Sequence, residues 1–151
     1  MPFPVKLIIQ IPCYNEANSL TQTLQALPQQ LSGIDHIEVL IIDDGSADET
    51  AHIAEQNGVN HIVRLRQHVG LAASFIAGLE ASLTHGADII VNTDADNQYQ
   101  ASDIQRLIDP ILAGRADIVV GDRGVSTLSS FSPGKRILQR MGSWVIAQAS
   151  G

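Results

Sequence analysis

Asn92-Thr93-Asp94-Ala95-Asp96-Asn97-Gln98 follows directly on the apolar run Ala87-Asp88-Ile89-Ile90-Val91. Two carboxylates separated by one small residue at a predicted strand end point their oxygens into one solvent pocket. Such oxygens suit a hard divalent cation that keeps positions open for substrate phosphates. A second acidic strand end, Asp43-Asp44-Gly45-Ser46, occurs earlier in the same kind of context. One of its Asp side chains must face the cleft, where it can accept from a base N–H or a ribose hydroxyl. A turn plus helix cap is the structural alternative, with Ser46 as the cap.

The exit of the first apolar run reads Ile11-Pro12-Cys13-Tyr14-Asn15-Glu16. Pro12 stiffens the turn off the strand. Tyr14 offers an aromatic face on which a nucleobase could lie, and Glu16 an acceptor for base or ribose. The plain alternative is a turn with a surface Tyr and a helix-starting Glu. His68-Val69-Gly70 opens a helix with glycine, which lets phosphate approach the free N–H groups there. Arg66 reads as a solvated strand-end charge, whereas Arg123 in Gly121-Asp122-Arg123 is placed to reach a diphosphate on the same rim. Lys135, Arg136 and Arg140 read better as a solvated helix face.

These residues need a scaffold, and the apolar runs supply one. Runs of strand length recur at 5–11, 37–42, 62–65, 89–91 and 118–120. They are rich in Ile and Val and nearly continuous, as strands buried on both faces of a parallel sheet are. Helical periodicity lies between them. In 102–112, Ile104, Leu107, Ile108, Ile111 and Leu112 form one stripe, with Ser102 and Gln105 as a capping box and Gly114 at the end. Leu20, Leu24 and Leu27 predict a helix before Pro28. Ser46 to Gly58 predicts a second, and Leu71, Phe75, Leu79 and Leu83 mark the core stripe of a third that ends at Gly86. The alternation implies an open parallel α/β sheet with right-handed crossovers, in which ligands bind beyond the carboxyl ends of the strands. A Ser-rich loop over 125–134 leads to a helix from Lys135, and the sheet then breaks off without a sixth strand, as a truncated domain would.

At 151 residues and 44% hydrophobic content the chain fits one domain with a real core. No run approaches the roughly 20 apolar residues of a membrane span. The net charge of −7 argues against a general nucleic-acid binder. The single Cys13 excludes an internal disulfide and fits a reducing compartment. It reads as a small buried residue at a strand end, and four of the five histidines as surface or loop residues.

Taken together, Ile11 to Glu16, Ile42 to Asp48, Gly70 with Ala73, Asp94 to Gln98 and Gly121 to Arg123 resemble the family 2 glycosyltransferases of GT-A fold. The branch they most resemble includes the polyprenyl-phosphate sugar synthases such as the dolichyl-phosphate mannose synthases. The match runs from residue 5 to about 123, in the family's order and spacing. It implies a Rossmann-like nucleotide-diphospho-sugar transferase fold, an open, mostly parallel sheet with helices on both faces. Residues 1–124 would form the nucleotide-sugar-binding core, and 125–151 a mobile loop and the start of the acceptor-side region.

By the same resemblance, Pro12, Tyr14, Glu16 and Asp44 would surround base and ribose, with Gly70 at the phosphate end. Asp94 and Ala95 would hold ribose or phosphate, and Asp94 and Asp96 would be the catalytic acids. Asp96 and Gln98 would contact Mg2+ or Mn2+, and Arg123 would lie near the diphosphate. The donor would be a UDP- or GDP-linked sugar, transferred with inversion to an acceptor such as a polyprenyl phosphate. Such an acceptor is already an anion and needs no general base. A cytoplasmic location, at the membrane's cytoplasmic face if membrane helices follow, and homo-oligomers through the unfinished sheet edge complete the expectation. Three departures stand out: His68 where many members have Asn, Leu71 where many have Lys, and Tyr99-Gln100-Ala101 in place of an acidic-x-Pro.

Rival readings fit less well. A haloacid-dehalogenase-type phosphotransferase wants its Asp-x-Asp after the first strand. A response-regulator receiver needs a Lys after the fifth, and a nucleotidyltransferase a Gly-rich basic loop where Tyr14-Asn15-Glu16 stands. A non-catalytic nucleotide-binding module is the alternative from a different class.

Overall fold

A computed structural model describes residues 4–95 and 103–121 of the chain. Its elements are β1 (Lys6–Cys13), α1 (Leu20–Ala26), β2 (His36–Asp43), α2 (Thr50–Gln56), β3 (His61–Arg64), α3 (Leu71–Thr84), β4 (Ile89–Asn92) and α4 (Asp103–Leu112). All eight fall within one compact unit, residues 1–119. The strands run in the order β3-β2-β1-β4, and every pairing is parallel.

β1 is the central strand, paired along both edges, and core clusters cover both of its faces, so its apolar run is continuous. Leu7, Ile9, Ile11 and Cys13 face one way, against Leu20 and Leu24 of α1, Ala54 of α2, and Ile104 and Ile108 of α4. Ile8 faces the other way with Leu40 and Ile42, beneath Ala81 of α3. Helices therefore cover both faces, as expected. Leu7, Ile8, Ile9 and Ile11 are fully buried, and each contributes about 1.5–3 kcal/mol by leaving water.

Two expectations are corrected. The helix over 71–84 forms, but its buried face is Ser74, Gly78 and Ser82. Leu71 and Leu83, placed in its core stripe by periodicity, are 68% and 65% exposed. The reason is close packing. A Cβ on Gly78 would stand 2.6 Å from Gln10 Oε1 and 2.8 Å from Ile42 Cδ1. Small residues four apart let α3 lie nearer the sheet than a leucine face would.

The run 118–120 forms no strand among the described residues, and Ile118 and Val120 are exposed. β-branched composition favours a pleated conformation, but only a ladder partner makes a strand. The loop over 125–134 and the helix after it lie outside the described residues, as does Ser102. The capping box of Ser102 and Gln105 therefore falls partly outside the described residues; Gln105 itself accepts from Ser32 N at 2.7 Å and donates to Ser32 O and Asp109.

Candidate active site

Parallel strands bring their carboxyl ends to one edge. Cys13 pairs with Asp43, and Gln10 with Asn92. The ladder continues one step further on each side of β1, with Asp44 N donating to Cys13 O (2.9 Å) and Thr93 N to Gln10 O (3.1 Å). Asp44 and Asp94 therefore leave the sheet on the same rim, flanking β1. Two strand spacings, about 10 Å, separate them across the sheet, with Asp44 two residues further along β1 than Asp94. The chain order reverses between β1 and β4, which makes this the switch point where an α/β sheet opens a crevice. The β4 exit is tied down by Thr23 of α1, whose buried hydroxyl donates to Ala95 O at 2.7 Å. Asp96, Gln98 and Arg123 lie outside the described residues.

The β1 exit is laced to the loop after β2. Asn15 takes a positive φ of 56°, its N–H donates to Ser46 Oγ (3.0 Å), and its side-chain carbonyl accepts from Ala47 N (2.9 Å). Glu16 N donates to Thr50 Oγ1 and Ala17 N to Asp48 Oδ2. Ser46 thus serves the turn rather than capping α2, whose first residue is Thr50. The Glu16 carboxylate accepts from the Ser19 hydroxyl at 2.6 Å. Pro12 lies in β1 at this exit, and Tyr14 beyond it is 45% exposed. Burial, then the nearby acids Glu16, Asp43 and Asp48, push the Cys13 thiol up to about 12. It stays protonated and serves as the small core residue its position suggested.

Asp44 is buried and bonded. Its two oxygens accept from Val69 N (2.8 Å) and Gly70 N (2.9 Å), and Oδ2 lies 2.9 Å from His68 Nδ1. Burial alone would raise its pKa. The two amides, the Ser74 hydroxyl and His68 outweigh that and hold the carboxyl below its ordinary value. The Gly70 N–H, expected to meet a phosphate, is already given to Asp44. The His68 ring stacks on Tyr14 with centroids 3.8 Å apart and planes 24° apart. Gly45 sits beneath this loop, where a Cβ would fall 2.5 Å from Gln67 C and 2.6 Å from His68 N.

The geometry therefore collects Tyr14, Asp44, His68 and Gly70 at one place and adds Asp94 on the other side of β1. Sequence reasoning missed His68 as a member, and it missed Thr23 and Gln10. The signal for the last two was polarity where burial was due. Thr23 interrupts the apolar stripe of α1. Gln10 is fully buried in β1 and donates to Asn92 Oδ1 at 3.0 Å.

The chain resembles several known proteins. A polyprenol monophosphomannose synthase of Mycolicibacterium smegmatis is 30% identical over 129 residues, 80% of this chain and 46% of that protein. An undecaprenyl-phosphate mannosyltransferase of Micrococcus luteus is 32% identical over 125 residues, 80% of this chain and 49% of that protein. The chain thus spans about half the length of these relatives. Among solved structures, glucosyl-3-phosphoglycerate synthase from Mycobacterium tuberculosis in complex with UDP matches with a TM-score of 0.60 at 21% identity, over 73% of this chain and 41% of that one. A mannosyltransferase from Pyrobaculum calidifontis, solved with GDP-Man and Mn2+, gives 0.53 at 23% identity, over 72% and 34%. The shared fold is the GT-A arrangement. The model of the family described as glycosyl transferase family 2 matches residues 8–147, and on that match the chain belongs to glycosyltransferase family 2.

Proposed function

We propose that this chain carries the donor-binding half of an enzyme that moves a sugar from a nucleoside diphosphate to a polyprenyl phosphate, with inversion. The observation that carries this reading is the emergence of Asp44 and Asp94 on one carboxyl rim, flanking β1 at the switch point. Relatives named as polyprenyl-phosphate mannosyltransferases, and fold neighbours solved with UDP or with GDP-Man and Mn2+, support it.

In this reading Tyr14 takes the face of the base, while Pro12, Glu16 and Asp44 shape the base and ribose end. Gly70 lies at the phosphate end, where a Cβ would meet no atom within 4 Å. Asp94 and Ala95 hold the ribose or phosphate side, and Arg123, outside the described residues, would lie near the diphosphate. The donors at the β4 exit are carboxylate and amide oxygens, which fit a hard cation. Asp96 and Gln98 would hold Mg2+ or Mn2+, and Asp94 stands beside them in sequence. The bound cation would neutralise the diphosphate as it departs. The chain's own part is to fix base and ribose so that the anomeric carbon faces the acceptor. A phosphate acceptor attacks as an anion, so no side chain is required to remove a proton.

Residues 1–124 would form this donor core and 125–151 the beginning of the acceptor side. The reaction would take place at the cytoplasmic face of a membrane, and an unfinished sheet edge would serve self-association. No helix among the described residues is long and apolar enough to cross a membrane. Because the chain spans about half of its relatives, a unit that binds the donor without transferring it is the second reading. Calorimetric titration with UDP or GDP plus Mn2+, on the parent and on Asp96→Ala, tests the donor site. Binding by the parent that Asp96→Ala loses is expected. Equal binding by both proteins, or none by the parent, overturns the proposal.

A further inference from the structure

We infer that His68 occupies the nucleobase position from within the chain, so that donor binding must displace its ring and His68 sets the affinity for the base. The inference rests on the donor-site reading above and adds to it a residue that competes with the ligand. A nucleobase offers a flat face and ring N–H donors. His68 already presents both to the two groups in question, its ring lying on Tyr14 at 3.8 Å and its Nδ1 2.9 Å from Asp44 Oδ2. At that ring separation the two faces are in contact, and no base fits between them.

The loop's construction lets the ring leave by itself. Behind it, Gly45 packs against the backbone of Gln67 and His68. Ahead of it, the Val69 and Gly70 amides are pinned on Asp44 at 2.8 and 2.9 Å. The His68 side chain, by contrast, is 50% exposed. Rotation of that side chain into solvent clears one face of Tyr14 and one acceptor position on Asp44, and both backbone bonds to the carboxylate stay in place. The observed donor affinity is then the intrinsic affinity scaled by the fraction of molecules with the ring swung out.

The test titrates the full 151-residue chain and its His68→Ala variant with UDP plus Mn2+, and in parallel with pyrophosphate plus Mn2+, which carries no base. His68→Ala is expected to bind UDP about tenfold tighter and pyrophosphate as the parent does, with a slightly lower melting midpoint for the lost stacking and pairing. A second measurement guards against an altered variant: in the parent, with diamagnetic Mg2+ in place of Mn2+, the His68 imidazole resonances should shift on addition of UDP and not on addition of pyrophosphate. Unchanged or weaker UDP binding by His68→Ala, or an equal gain for pyrophosphate, overturns the inference while leaving the donor site standing. If UDP goes unbound, the same pair is titrated with GDP plus Mn2+ and judged in the same way; if neither protein binds either nucleotide, the donor-site reading fails and this inference falls with it.

Discussion

Gly45→Ala gives the sharpest test of how the rim is built, because Gly58 supplies a matched control. The two glycines have nearly the same backbone, with φ +68° and +67°. An L side chain in that left-handed region costs roughly 1–2 kcal/mol, offset by about 0.4–1 kcal/mol from the stiffer unfolded chain. Around Gly58 a new Cβ meets nothing within 4 Å, so little more is at stake. At Gly45 it would fall 2.5 Å from Gln67 C, 2.6 Å from His68 N and 2.9 Å from Gln67 Cα. Non-bonded carbons rest at about 3.5–4.0 Å, so the strand-to-helix loop must retreat by about 1 Å. Its atoms here are backbone and cannot rotate aside.

A retreat of that size stretches the Val69 and Gly70 bonds to Asp44, now 2.8 and 2.9 Å, beyond the roughly 3.2 Å limit of a good N–H···O bond. Each bond to a charged group contributes about 1.5–3 kcal/mol, and accommodating an overpacked methyl costs about 1–3 kcal/mol. The protein pays whichever is smaller, not both. We expect Gly45→Ala to lose about 2–4 kcal/mol and Gly58→Ala about 1 kcal/mol or less. Urea unfolding of the two variants and the parent, with equal m-values, reads the difference directly. UDP binding should weaken in Gly45→Ala alone. Losses equal within about 0.5 kcal/mol would refute the claim that this loop is clamped between Gly45 and Asp44.

Acid should weaken the protein through its hydrogen-bonded carboxylates. Burial pushes the pKa of Asp44, Asp48 and Glu38 up, but hydrogen bonds lower all three overall, helped at Asp44 by His68 and at Glu38 by Lys6 and His61. A depressed folded-state value stabilises above the unfolded value and is lost as pH falls through the folded one. Urea midpoints should therefore hold steady near neutrality and drop below the ordinary values of 3.8 for Asp and 4.5 for Glu. Asp44→Asn should lose about 2–4 kcal/mol at neutral pH, since the amide puts an NH2 donor where one of the two accepting oxygens stood and leaves a backbone N–H facing it, and should show a shallower acid limb; an unchanged limb would remove Asp44 from this account. Thr23→Val keeps the shape but leaves the Ala95 carbonyl without its hydroxyl donor. It should cost about 1–3 kcal/mol and weaken UDP·Mn2+ binding less than Asp96→Ala does. Unaltered binding would show that this tie does not position the β4 exit.

The order of elements was readable as far as α4 because a strand buried on both faces announces itself by continuous Ile and Val. The face of α3 was not readable. Ser74, Gly78 and Ser82 carry no hydrophobic signal, and their importance lies in what they leave out, namely side chains that would hold α3 away from Gln10 and Ile42. The run 118–120 misled for the opposite reason, because its composition is that of a strand while pairing depends on a partner elsewhere in the chain. At the site, Asp44 was readable as an inward acid. Its partners, 25 and 26 residues away, were not, because only the β2–β3 register brings Val69 and Gly70 back to it.

The acids at 43–48 also show why an acidic strand end is an ambiguous motif. Asp43 accepts from Ser46 N and so builds the turn. Asp48 accepts from Ala17 N and Thr50 N and so joins the β1 exit to α2. Both carboxylates meet backbone donors that would otherwise be unpaired, a need every tight loop has. Asp44 does the same for Val69 and Gly70, and it alone of the three also faces a side chain that can leave, His68. A carboxylate bonded only to fixed amides, or as Asp48 is also to the fully buried Thr50 hydroxyl, is structural. One that shares its second acceptor position with a half-exposed ring can exchange that ring for another donor. By this criterion Asp44, rather than Asp43 or Asp48, is the acid of this loop that can meet a ligand, and comparing Asp43→Asn with Asp44→Asn in UDP binding measures it.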